Sequence, residues 1–132
     1  MKKRFYFDTS IWLDFYEKRG KNGELTKELI NKIIKDEDVV AYSDIVVKEL
    51  KNIGYSGNEI NEMLSVTRVE MIHIKKEQLE EAKKLASERK IPKGDVLHAI
   101  SARDSESYLI TRDKHFKKLN DITKQHLPED FL

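Results

Sequence analysis

Apolar residues along this chain are spaced in two ways, and the two ways alternate. Short runs, Phe5-Tyr6-Phe7, Val39 to Tyr42, Val69 to Ile74 and Tyr108 to Thr111, carry the β-branched and aromatic content of strands. Bulky residues at consecutive positions predict strands covered on both faces, as in a parallel sheet. Between these runs apolar residues recur every three or four positions. Residues 10 to 18 read as a short helix ended by the turn cluster Gly20-Lys21-Asn22-Gly23, and Leu25, Leu29, Ile30, Ile33 and Ile34 stripe a second helix from Glu24 to about Lys35. Ser43-Asp44 supplies a cap for a helix carrying Ile45, Val46, Leu50 and Ile53. Tyr55 to Asn58 is a turn, Glu59 to about Ser65 a short helix, and Lys76 to Lys90 an amphipathic one with Leu79, Ala82, Leu85 and Ala86 on one side. Pro92 stops that helix, and Asp95 opens a nearly all-apolar one, Val96, Leu97, Ala99, Ile100 and Ala102, which should be buried. Lys114 to Leu119 forms one or two helical turns, residues 121 to 127 a weak fifth strand, and Pro128 to Leu132 a tail. Strands alternating with helices predict a three-layer α/β/α fold around a central parallel sheet of four to five strands, joined by right-handed crossovers.

Composition narrows this only slightly. A chain of 132 residues fits one domain, 1–132, with a core that needs no metal or disulfide staple. Basic and acidic residues number 25 and 24, so the net charge of +1 gives no global attraction to nucleic acid and any affinity must be local. The absence of cysteine excludes disulfides, thiol nucleophiles and thiolate metal sites, and suits a reducing cytoplasm. Apolar runs are too short for a bilayer span or a secretory signal, which predicts a soluble, untargeted protein with no membrane partner.

Four acids share a position in this scheme. Asp8 follows the first strand, Glu49 lies on the helix after the second, Asp95 opens the buried helix and Asp113 follows the fourth strand. The carboxyl ends of parallel strands face one edge, where α/β proteins bind ligands, so the four can converge. Singly, each has an ordinary reading as a helix cap, an exposed helix acid or a turn residue. Together, two carboxylates about 4 Å apart repel by roughly 4 kcal/mol at an effective dielectric of about 20, so a converged cluster needs a cation. Oxygen ligands select hard ions such as Mg²⁺ or Mn²⁺. The histidines form no ligand pattern: His98 reads as a hydrogen-bonded core residue, and His73, His115 and His126 carry no signal.

The ordered set Phe7-Asp8-Thr9-Ser10, Ser43 through Glu49-Leu50, Gly94-Asp95 with His98-Ala99, and Thr111-Arg112-Asp113 with Phe116 resembles the PIN-domain nucleases. Within them it is most similar to the VapC-like toxins of prokaryotic toxin-antitoxin pairs, over nearly the whole chain. The resemblance implies that Asp8, Glu49, Asp95 and Asp113 are the catalytic and metal-binding acids, with Thr9, Ser10 and Thr111 as supporting hydroxyls. Where the family often carries a further acid after the fourth, this chain has Lys114 and His115, which lowers the expectation of a second tightly held ion. The implied activity is Mg²⁺- or Mn²⁺-dependent cleavage of RNA by in-line attack of an activated water, leaving a 5′-phosphate. Such chemistry does not use the 2′-hydroxyl, so it does not by itself exclude DNA.

Arg89, Lys90 and Lys93 precede Asp95, and Arg112 and Lys114 flank Asp113, so these five are the candidates for holding RNA phosphates; a solvated helix end accounts equally for the first three. The expected partners are RNA, an antitoxin protein and a second copy of the chain. The homodimer would form through Ile53, Tyr55, Ile60 and Met63, unless these fold back onto their own sheet. A haloacid-dehalogenase-like enzyme would need an acid where Ser10 stands, and a receiver domain would need adjacent acids after the first strand. A housekeeping RNA-processing PIN nuclease and a non-catalytic RNA-binding PIN module remain as alternatives.

Overall fold

Five short strands, β1 (Arg4–Phe7), β2 (Val39–Ser43), β3 (Val69–Ile72), β4 (Tyr108–Ile110) and β5 (Gln125–His126), pair in the order β3-β2-β1-β4-β5. Every pairing is parallel. The structure is a computed structural model describing residues 2–132. Helices α1 (Thr9–Tyr16), α2 (Gly20–Lys35), α3 (Asp44–Ile53), α4 (Gly57–Met63), α5 (Lys76–Arg89) and α6 (Lys93–Asp104) connect the strands, with two 3₁₀ turns, Lys114–Leu119 and Pro128–Phe131.

The pleat of β1 divides the core. Phe5 and Phe7 point into one layer with Ile11, Trp12, Leu29 and Leu50, while Tyr6 points into the other with Ala41, Ala99, Ile100 and Leu109. All three strand residues are buried, as a central strand requires. Full burial of side chains such as Phe7 or Ile100 contributes about 1.5–3 kcal/mol each, so these two layers fix β1 in the middle of the sheet. Helix α6 is buried from Val96 through Ala102, in agreement with its composition. Among the described residues no helix is long and apolar enough to cross a membrane.

Several boundaries differ from the sequence reading. The Gly20–Gly23 cluster is the first turn of α2 rather than a terminating loop. Gly20 takes the left-handed φ of +56°, and a Cβ on Gly23 would lie 2.5 Å from the Asp14 carbonyl oxygen, so glycine here lets α2 close directly onto α1. Ile34 is half exposed, and Thr26, its hydroxyl donating to the Asn22 carbonyl, occupies the inner face of α2 instead. Leu79 likewise faces out, and Gln78 is buried in its place with its amide donating to Asp104. Helix α4 starts earlier, at Gly57, on a reciprocal Ser56–Glu59 cap. Ile60 and Met63 are buried in the core, so of the proposed dimer residues Ile53 alone is exposed and Tyr55 is half-buried. The last residues are no tail: Phe131 packs edge-on against Phe5, Tyr108 and His126.

Candidate active site

Because all five strands run the same way, the first acid is positioned by the backbone itself. The Asp8 N–H donates to the Ile110 carbonyl (3.2 Å), extending the β1–β4 ladder by one residue before α1 begins. Asp8 caps α1 with Oδ1, which accepts from Ile11 N (3.1 Å) and from Ser10 Oγ (2.8 Å). Its Oδ2 accepts from Thr111 Oγ1 at 2.6 Å. Thr111 in turn accepts from Asp113 N (3.0 Å), so one hydroxyl joins the first and fourth acids. Asp8 is almost fully buried, and that burial raises its carboxyl above the usual range in spite of His98 and the three donors.

Glu49 is held differently. Its Oε1 receives Thr9 Oγ1 and His98 Nε2, both at 2.6 Å, and these bonds together with the His98 charge outweigh burial and bring its carboxyl below the ordinary value. The other oxygen faces Gly94, where an added Cβ would stand 2.8 Å from it. His98 is buried as expected of a core histidine, but its partners belong to the site. Its Nδ1 lies 2.7 Å from the Tyr6 hydroxyl, which lies 2.7 Å from Ser43 Oγ. Nε2–H donates to Glu49, and Nδ1, the Tyr6 hydroxyl and Ser43 Oγ continue the chain into the core. Burial pushes the Tyr6 phenol far upward, so it stays a neutral donor. Ser43, expected as a helix cap, spends its hydroxyl on this chain and makes no cap bond.

Asp95 sits in the first turn of α6, half-buried, and is raised first by desolvation and then by Asp113. Asp113 caps the Lys114–Leu119 turn, accepting from His115 N at 2.9 Å. A cleft of about 380 Å³ at this edge of the sheet is lined by Asp8, Glu49, Asp95 and Asp113, with Thr9, Ser10 and His98 between them and Leu13 and Ile53 as an apolar wall.

The basic candidates divide. Arg89 is bound to both carboxylate oxygens of Asp121 and to the Lys118 carbonyl, and Arg112 grips Glu129 with two nitrogens (2.7 and 3.0 Å) beside the buried Asp14. Both guanidiniums tie the fold together. Lys90, Lys93 and Lys114 are exposed.

A divalent ion fits this donor set. Asp95, Asp113 and His115 each present a ligand atom, all within 4.8 Å of one another, and Asp8 and Glu49 border the same cleft. Among the described residues no lysine or arginine pairs with Asp8, Asp95 or Asp113; His115 alone approaches the last two. Sequence reasoning passed over His115, although its place two residues beyond Asp113 was the available signal.

The fold is shared with solved structures. VapBC2 from Rickettsia felis, bound to a DNA fragment from its promoter, superposes with a TM-score of 0.67 at 20% identity over 94% of this chain and 96% of that one. PAE2754 from Pyrobaculum aerophilum gives 0.63 at 17% identity, covering 99% and 95%, and a toxin-antitoxin complex from Klebsiella pneumoniae 0.63 at 21%, covering 94% and 97%. No curated protein sequence matches significantly. The family model of the PIN domain matches residues 5–122, from β1 past the last of the four acids, and this chain belongs to the PIN-domain family.

Proposed function

We propose that this chain is a metal-dependent endoribonuclease and the toxin of a VapBC-type toxin-antitoxin pair. The observation that carries the nuclease reading is the convergence of Asp8, Glu49, Asp95 and Asp113 on one cleft where, among the described residues, no lysine or arginine pairs with them. PIN domains are generally nucleases, and the likeness in fold to VapBC2 and to the Klebsiella complex supports the toxin reading and an antitoxin partner.

In this reading Asp8, Asp95 and Asp113, helped by Glu49, hold Mg²⁺ or Mn²⁺. The bound ion supplies Lewis acidity toward a phosphate oxygen and lowers the pKa of a coordinated water. The protein's part is orientation. Three donors lock both oxygens of Asp8, and Thr111 makes Asp8 and the Asp113 backbone move as one unit. Glu49 has one oxygen committed to Thr9 and His98, which leaves the other, beside Gly94, without a side-chain hydrogen bond. Leu13 and Ile53 form the apolar side of the cleft, and Lys90, Lys93 and Lys114 are left to hold RNA phosphates now that Arg89 and Arg112 are engaged elsewhere. A homodimer would use Ile53 and Tyr55, since Ile60 and Met63 are core residues.

Purified Asp8→Asn and Asp95→Asn variants test the reading on single-stranded RNA with Mn²⁺. Cleavage should fall by a hundredfold or more while thermal melting of the metal-free protein stays at or above wild type, because asparagine keeps the cap and removes a repelled charge. An Asp8→Asn protein that cleaves at the wild-type rate would refute the assignment.

A further inference from the structure

We propose that Nδ1 of His115 is a ligand of the ion held by Asp95 and Asp113, and that this imidazole tilts the site from Mg²⁺ toward a first-row transition ion such as Mn²⁺. The proposal rests on the reading of the cleft as a metal site and adds to it which ion the site selects. His115 Nδ1 lies 3.6 Å from Asp95 Oδ2 and 3.5 Å from Asp113 Oδ1. These separations exceed a good hydrogen bond, so the imidazole is not simply donating to either acid. They are close to what a shared ion needs: atoms each about 2.1 Å from one centre, at octahedral or tetrahedral angles, lie roughly 3.0–3.4 Å apart. For the imidazole, closing onto such an ion requires movements of a few tenths of an ångström against either acid, and all three ligand atoms lie within 4.8 Å of one another.

The backbone brings the imidazole there. Asp113 Oδ1 accepts the His115 N–H (2.9 Å), which fixes the start of the 3₁₀ turn, and Phe116 next in sequence is sunk in the core at 1% exposure. The His115 side chain is 61% exposed, and its ring is outside both core clusters, with Asp95 and Asp113 as the charged groups beside it. Its chemistry differs from that of an acid in the same place. Oxygen-only sets serve Mg²⁺ and Mn²⁺ alike, but Mg²⁺ dehydrates reluctantly and keeps most of its waters, whereas an imidazole nitrogen adds affinity for first-row ions, least for Mn²⁺ and more for those after it.

The test uses the full chain, His115→Ala, His115→Asp and Asp95→Asn, each titrated with MnCl₂ and with MgCl₂ by calorimetry, and with pulsed electron paramagnetic resonance of the Mn²⁺-loaded forms. Wild type should show coupling of Mn²⁺ to a directly bound nitrogen. His115→Ala should lose that coupling and bind Mn²⁺ about tenfold or more weakly with little change for Mg²⁺. His115→Asp should recover binding of both ions without the nitrogen signal. Equal Mn²⁺-to-Mg²⁺ affinity ratios in wild type and His115→Ala, with binding that Asp95→Asn abolishes, would overturn the His115 assignment alone. A wild type that binds neither ion would overturn it together with the nuclease reading. Since the His115 side chain is exposed, His115→Ala should leave the melting temperature without metal nearly unchanged, which separates ligand loss from misfolding, while the added carboxylate of His115→Asp should lower it until metal is bound.

Discussion

Glu49 has one oxygen bound by Thr9 and His98 and the other against a glycine, so Gly94 sets the position of Glu49 through what it lacks. Alanine at that position, inside a helix, gains up to about 1 kcal/mol of helix propensity, but its Cβ must push Glu49 away from its hydrogen bonds. Gly94→Ala should therefore melt within about 1 kcal/mol of wild type and yet cleave RNA at least tenfold more slowly. Equal activity would mean that the position of Glu49 is immaterial. In the sequence Gly94-Asp95 was visible as a loop leading into a buried helix, and His98 as a hydrogen-bonded core histidine. Their shared partner was not visible, because nothing local in the chain pairs residue 98 with residue 49, or residue 6 with residue 43.

Helices and strands were legible wherever their period was long enough to count, as in α2, α5 and α6, and wherever consecutive bulky residues marked a strand buried on both sides. What was misread has a tertiary cause. Gly20–Gly23 has the composition of a turn, but the reason for glycine is the backbone of α1 a few ångströms away, so Gly23→Ala should destabilise by about 1–3 kcal/mol with no rotamer to relieve it. The closing segment from Pro128 has too few residues for any periodicity, and its anchors, Phe5, Tyr108 and Arg112, are distant in sequence. Phe131→Ala should cost about 1–3 kcal/mol, less than a fully buried phenylalanine, as measured by urea denaturation. A variant as stable as wild type would return this segment to the status of a tail.

For the molecule as a whole, the acids govern how stability follows pH. Asp8 and Asp95 have folded-state values raised above the ordinary 3.8, so from there up to their raised values the native chain binds more protons than the unfolded one. In that window metal-free stability falls as pH rises. Glu49 works in the opposite sense: its lowered value contributes stability that is present above about 4.5 and lost as pH falls toward the folded value. Asp8→Asn should accordingly raise the metal-free melting temperature by more at pH 7 than at pH 4.5, by a few degrees. Divalent ions favour the ionised carboxylates, so metal should stabilise wild type increasingly across the same window. A gain in Asp8→Asn independent of pH would contradict this account. The hydrogen bond from Thr111 to Asp8 also reaches into the life of the nascent chain. It joins residues 103 positions apart, which at about 5–20 residues per second takes roughly 5–20 s of elongation to span. Until β4 has left the ribosome Asp8 lacks its Thr111 donor and the cleft its fourth acid, so under the proposed function an emerging chain would carry no complete site against the message that encodes it.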